Sequence, residues 1–313
     1  MKSSAPGKII LLGEHAAVYN RPALAVPVTQ VHVDVEVLDS SREGVWIQAP
    51  GIDLHAELRS LPVDHPVGAV ILKVFQRFSI SSPLGRGQGE GLDISIASTI
   101  PVAAGLGSGA AVSVALIRAL SGHLGQPLAD DEVNQLAYEV EKLHHGTPSG
   151  IDNTVITYAR PVYFIKGKPL EILKTAKPFT IVIGDTGIPA PTKKAVADVR
   201  RLWVRDQYTI ENIFNEIAQT SLIGRRFIES GRPELLGELM DQNHEYLRVL
   251  TVSSPELDKL VEAARLAGAL GAKLSGSGRG GNMIALVDQS KAESVAEALL
   301  SAGAKRTITT QIA

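Results

Sequence analysis

The stretch "IPVAAGLGSGAAVSVAL" (residues 100–116) leads from a strand-like segment into a helical one through Gly105 and Gly107. Glycines at such a junction admit positive φ and let backbone N–H groups approach a ligand closely. The helix that follows adds unpaired N–H groups and the positive end of its dipole, with Ser108 as a suitable N-cap. Together these make a cradle for phosphate. It does not fit the Walker pattern G-x-x-x-x-G-K-[ST], and the chain lacks the repeated βα array in which G-x-G-x-x-G reads as dinucleotide-binding. Taken alone, a loop of this kind is more often a strand-to-helix turn. Two further stretches shift that weighting, because they could supply the missing positive charge and a base.

The first is "APGKIILLGEHAAVYNRPALAVPV" (residues 5–28), in which Lys8 precedes an apolar strand and Glu14–His15 follow it. A lysine at the edge of a buried strand with an acid and a histidine nearby can bring charge to a cleft. The second is "EKLHHGTPSGIDNTV" (residues 141–155), where a helix gives way to a turn carrying Asp152. Ile151 and Val155 flank Asp152, so its carboxylate is expected on a structured, partly buried segment that needs a cationic partner, and Lys8 would serve. A base, a cation, a metal-binding acid and a backbone cradle suffice for phosphoryl transfer, which asks for positioning and charge neutralisation more than covalent chemistry. Helical spacing leaves Glu139 and Glu141 equivalent, both at the margin of an apolar face of Val133, Leu136, Val140 and Leu143. His144 and His145 are adjacent, and no H-x-x-x-H pair or cysteine supports a zinc site.

Stepping along the chain, residues 7–38 read as strand, compact loop and strand, with alternation in "VHVDVEVL". Residues 68–78 read as a helix, 85–91 as a glycine-rich turn, and 92–99 as the strand that delivers the cradle. Helices are expected over 109–123 and over 128–145, the latter capped by Asp130 or Asp131 and stopped by Gly146. "PVYFI" and "FTIVIGDT" read as strands, and residues 192–268 as mainly helical. Pro161, Gly167, Pro169 and Pro178 mark a boundary, giving an N-terminal domain over 1–170 and a C-terminal one over 171–313.

Composition narrows the function classes. The 313 residues hold 31 Lys and Arg against 33 Asp and Glu, a net charge of −2 that offers no general attraction for nucleic acid or an acidic membrane. With no cysteine, disulfides and thiolate metal sites are excluded, and a reducing cytoplasm is compatible. The apolar run of residues 9–12 is too short for a secretory h-region, so no export signal is expected. Residues 94–117 carry no charge, but Pro101 and the loop glycines make them a buried strand, turn and helix rather than a membrane span.

Residues 5–28, 101–114, 141–155 and "GAKLSGSGRGGNMIALV" (271–287) resemble, in order, the motifs of the GHMP kinase superfamily. Within it the likeness is greatest to the mevalonate kinases. Residues 185–200 and "MDQNHEYLRVLTVSSPELDKL" (240–260) extend the resemblance over essentially the whole chain. It implies an α/β (α+β) fold: an N-terminal domain like ribosomal protein S5 domain 2 and a C-terminal ferredoxin-like domain, with ATP, Mg²⁺ and substrate in the cleft between them. It further implies ATP-dependent phosphorylation of the 5-hydroxyl of mevalonate, with no nucleic-acid or membrane partner and a homodimer as a compatible assembly.

Residue by residue, Asp152 resembles the catalytic base and Lys8 the lysine that pairs with it and stabilises the transferring group. Pro101, Ala104, Gly105, Leu106, Gly107, Ser108, Gly109, Ala110 and Ala111 resemble the phosphate-binding loop. Glu141, favoured over Glu139 by its interval to Asp152, and Ser108 resemble the magnesium ligands. Glu14, His15 and Thr192 resemble the substrate side, and Ser275, Gly276 and Ser277 a second glycine-rich loop that closes on it. Gly109 departs from the pattern, standing where many mevalonate kinases carry the second of two serines. So does Arg279, where the animal enzymes have glycine; it could reach a phosphate, the substrate carboxylate or solvent. A galactokinase would carry an arginine and a "GEHTDY"-like sequence in place of Lys8 and "GEHAAVY". Retention of Lys8, Glu141 and Asp152 argues against a non-catalytic ligand sensor.

Overall fold

The computed structural model describes residues 1–80, 91–101, 105–145, 148–169, 171–190 and 192–313. Ala104, most of the glycine-rich turn expected at 85–91 and the helix stop expected at Gly146 lie outside the described residues. The strands are β1 (Lys2–Leu12), β2 (Ala23–Ser40), β3 (Gly44–Ala49), β4 (Leu54–Glu57), β5 (Gly91–Ser98), β6 (Val162–Phe164), β7 (Glu171–Ile172), β8 (Phe179–Asp185), β9 (Gly271–Ser275), β10 (Asn282–Val287) and β11 (Arg306–Ile312). The helices are α1 (Pro66–Arg77), α2 (Ser108–His123), α3 (Asp130–His145), α4 (Ile151–Tyr158), α5 (Thr192–Arg205), α6 (Gln207–Glu229), α7 (Leu236–Val249), α8 (Pro255–Leu266) and α9 (Ala292–Ala302). They fall into two compact units interleaved in sequence: Met1–Gly7, Val31–Pro101 and Gly107–Ala159 form one, and Lys8–Gln30, Val102–Leu106 and Arg160–Ala313 the other.

In the first unit β5 lies between β2 and β3, antiparallel to β2 with Val33 opposite Ser98 and parallel to β3 with Gly44 opposite Gly91. β4 closes that edge antiparallel to β3. Helix α2 packs against α1, α3 and α4. Its residues Ala111, Val114, Ala115, Leu116, Ile117 and Leu120 are all buried, which explains the absence of charge over residues 94–117: this is core. On α3, Val133, Leu136, Ala137 and Val140 face inward, whereas Leu143, expected on the same face, is 63% exposed. Asp130 and Asp131 lie inside the first turn of α3 rather than before it, where their charge suits the dipole.

In the second unit the sheet order β11-β8-β10-β9, antiparallel throughout, with helical connections before β9 and β11, is the βαββαβ arrangement of a ferredoxin-like domain. Strands β8, β9 and β10 are buried along their full length. Phe214, Leu247, Leu250, Leu257, Val261, Val295 and Leu299 fill the core against them. β9 is an outer strand, and α7 covers it at unusually close range. A Cβ on Gly237 would stand 2.1 Å from the Leu270 carbonyl oxygen, and one on Gly271 2.1 Å from that of Gly237. Only glycine on both sides permits this approach, and it brings the polar side chains of α7 onto the β9 backbone.

Candidate active site

In the first unit the loop–helix junction differs in detail from the sequence expectation. Gly107, at φ 77°, is the N-cap of α2, and Ser108 is the first helical residue rather than the cap. A left-handed N-cap is natural for glycine, and it leaves the Ser108 hydroxyl outside the capping role. Gly109 and Ala110 continue the first turn, and Ala111 N–H donates to the Gly107 carbonyl at 2.9 Å. Pro101 is buried ahead of the loop.

Asp152 lies in the first turn of α4, a helix the sequence had suggested only as a turn. Gly150, at φ 86°, starts it. Asn153 donates to both the backbone and side-chain oxygens of Asn134, at 3.3 and 2.5 Å, so α4 is tied to α3, the helix that carries Glu141. Glu139 accepts a hydrogen bond from Lys73 of α1 at 3.1 Å. Among the described residues no group of three or more His, Asp or Glu is set to hold a metal. Ser108 and Glu141 offer oxygen donors only, the hard set that Mg²⁺ accepts when phosphate oxygens and water complete its shell.

In the second unit Lys8 lies within β1, which begins at Lys2, so it is a mid-strand residue rather than one preceding the strand; it is 4% exposed. Its N–H donates to the Leu106 carbonyl at 3.0 Å, fixing the strand to the loop next to exposed Gly105. Beyond β1 the chain turns through Gly13, whose φ of 103° and contact with Ala23 exclude any side chain. Glu14 follows, buried, and accepts a hydrogen bond from Lys273 of β9, itself wholly buried. Burial pushes the Glu14 carboxyl up and the Lys273 ammonium down, and each charge pulls the other back toward its ionised form. The N–H groups of Glu14 and Gly276 face the carboxylate, yet neither closes a well-formed bond to Oε2.

His15, at φ 61°, directs Nε2 to the Ser277 carbonyl at 3.1 Å. A carbonyl can only accept, so Nε2 carries the proton. Burial lowers its pKa to about 4, with the charges of Arg279 and Lys273 adding to the shift and the Ser277 carbonyl opposing it. The Ser277 hydroxyl meets that of Thr192, the first residue of α5, at 3.0 Å. The Ser275 hydroxyl accepts from Ile10 N–H at 3.1 Å and donates to the Ile10 carbonyl at 2.9 Å. Glu14, His15, Thr192, Ser275 and Ser277 are thus gathered around β9 and its loop. Arg279 pairs with Asp198 of α5, donates from Nε to the Thr251 carbonyl at 3.1 Å, and sits at φ 59°.

Sequence reading missed Lys273, Asn243 and His244. Their visible signals were a lysine inside the apolar strand "GAKLS" and two polar residues on the buried face of α7. Among the described residues no helix is long and apolar enough to cross a membrane.

This construction is that of a small-molecule kinase of the GHMP type. The family model for the GHMP kinases N terminal domain matches residues 67–160, and that for GHMP kinases C terminal matches residues 225–305. The mevalonate kinase of Thermococcus gammatolerans is 38% identical over 98% of this chain and 95% of its own length. The crystal structure of L. major mevalonate kinase in complex with R-mevalonate superposes with a TM-score of 0.85 at 29% identity, covering 100% of this chain and 95% of that one. The Methanococcus jannaschii mevalonate kinase gives 0.84 at 26% identity, covering 100% and 98%. The chain belongs to the mevalonate kinase family.

Proposed function

We propose that the protein transfers the terminal phosphoryl group of ATP to the 5-hydroxyl of mevalonate, with Asp152 as base and Lys8 as the cation at the transferring group. The single observation that carries the activity is the full-length match to mevalonate kinases at 38% identity. The O5–H proton passes to the Asp152 carboxylate as O5 forms its bond to phosphorus, and the electron pair of the broken P–O bond leaves with ADP. Asp152 suits this role through its rigid support, since Asn153 and Asn134 fix the first turn of α4. Lys8 is buried on a strand whose backbone is bonded to Leu106, which fixes the main chain that carries its charge.

The backbone from Pro101 to Ala111 receives the phosphates, with the α2 N-terminus aimed at negative charge. Glu141 and Ser108 would hold Mg²⁺, which when bound neutralises charge on the phosphates. Glu14, His15, Thr192 and Ser275–Ser277 form the mevalonate side, where Ser275 and Glu14 act as framework because their groups are engaged by Ile10 and Lys273. The cysteine-free composition is compatible with a cytoplasmic setting. ADP release on mevalonate, phosphomevalonate, homoserine and galactose tests the reading. Mevalonate should be turned over fastest, and faster turnover of any other alcohol would overturn it.

A further inference from the structure

The Glu14–Lys273 pair is assembled from two segments far apart in sequence, and one short piece of α7 touches both. Asn243, wholly buried, accepts through Oδ1 from the Gly13 N–H at 3.2 Å, immediately before Glu14. His244, 2% exposed, accepts through Nδ1 from the Leu274 N–H at 3.3 Å, immediately after Lys273. The Lys273 ammonium in turn donates to the Leu274 carbonyl at 2.5 Å. A third α7 residue, Asp241, accepts from the Ala272 N–H at 2.8 Å, on the other side of Lys273. The alternate N–H groups on the outer edge of β9 are thus completed by side chains of α7 in place of another strand.

The partners also fix the state of His244. A backbone N–H can only donate, so Nδ1 is unprotonated and the ring proton is on Nε2, which donates to Asp258 Oδ1 at 3.1 Å. Asp258 is held by the Ser253 hydroxyl and by Arg248 Nε, the latter at 3.4 Å. The groups facing the ring are Asp258 and Arg265 from α8, Glu245 from α7 and Lys273 from β9. Neither His244 nor Asn243 is among the residues assigned to substrate, nucleotide or metal.

We infer that Asn243 and His244 are positioning residues for the mevalonate side of the site: together they set the placement of Glu14 and Lys273, and through it the affinity for mevalonate. This rests on the reading that Glu14 belongs to the mevalonate side. A purely structural pair would change stability and leave the Michaelis constants of the folded enzyme alone. A positioning pair acts selectively on one substrate.

The test uses the full chain and the KM values for mevalonate and ATP, with unfolding midpoints measured in parallel. His244→Leu, which removes the acceptor for Leu274, should raise KM for mevalonate about tenfold, the equivalent of one hydrogen bond, while KM for ATP stays within about twofold. His244→Asn keeps an acceptor near the Nδ1 position and should recover most of the loss, whereas His244→Gln reaches toward Asp258 and should not. If the leucine variant does not fold, the Asn–Gln comparison carries the test, and equal KM values for mevalonate in those two variants would overturn the inference. A folded leucine variant with parental KM for mevalonate, or with both KM values raised alike, would overturn it too. Glu14→Gln separates the two layers: if it leaves KM for mevalonate unchanged, the assignment of Glu14 fails, and if it raises KM while His244→Leu does not, only the positioning role fails.

Discussion

Lys273 donates a hydrogen bond to Glu14, and both side chains are withdrawn from solvent, the lysine completely and the glutamate to within 1%. Such a pair repays its desolvation only while both members are present. Lys273→Met should therefore lower unfolding stability by about 3–5 kcal/mol, because it leaves a carboxylate buried beside a methyl group. Adding Glu14→Gln should restore part of that loss. Equilibrium denaturation of the two variants measures it, and a double variant less stable than Lys273→Met would contradict the pairing.

His15 and His244 make folding sensitive to acid. Both have pKa values lowered from 6.5 to about 4, chiefly by burial. Between those values the unfolded chain binds protons that the folded chain does not, so stability falls as pH falls through the window, by up to about 3 kcal/mol per histidine. Glu14, shifted upward by burial, contributes with the opposite sign above its ordinary 4.5. Comparing the parent with His244→Asn isolates one histidine: the stability difference between them should shift in favour of the variant as pH is lowered from 7 to 4. A pH-independent difference would contradict the assignment.

Arg279 combines a useful side chain with an unfavourable backbone. At φ 59° it occupies a conformation that glycine adopts more easily, and its anchors to Asp198 and Thr251 offset the strain. Arg279→Gly and Arg279→Ala both remove the guanidinium, but only alanine keeps the strain. The glycine variant should be the more stable by about 1 kcal/mol, read from denaturation midpoints. Of the three roles open to Arg279 in the sequence (phosphate, substrate carboxylate or solvent), none is selected by the structure, which shows its guanidinium paired with Asp198 and Thr251.

Strands β2, β5, β6 and β8 and helices α1, α2 and α3 were legible because their apolar periods are regular, as in "VHVDVEVL" and in α1, whereas β3, β4, β9, β10 and β11 went unread. Helix α4 was not: Thr154, Val155, Ile156 and Thr157 are β-branched and favour extended chain, and the helix is secured by the tertiary contact between Asn153 and Asn134. The N-cap of α2 was assigned to Ser108 by residue preference, yet the turn needs positive φ at the cap, which selects Gly107. Within the site, local motifs pointed to Glu14 and His15, but the partner of Glu14 lies 259 residues away. The contribution of His244 is a bond to a backbone N–H 30 residues on, which leaves no trace in residue type. Side chains that serve by completing another segment's backbone are the part of a site that sequence patterns do not reveal.

In the proposed reaction Asp152 takes the proton from mevalonate. Asp152→Asn preserves size and the first turn of α4 while removing the basic lone pair, so phosphomevalonate formation at saturating substrates should fall by roughly 10²–10⁴, the contribution of a positioned general base. ATP binding, measured separately, should stay close to the parent because the backbone loop and Glu141 are untouched. A folded Asp152→Asn enzyme that forms phosphomevalonate at near-parental rate would contradict the account.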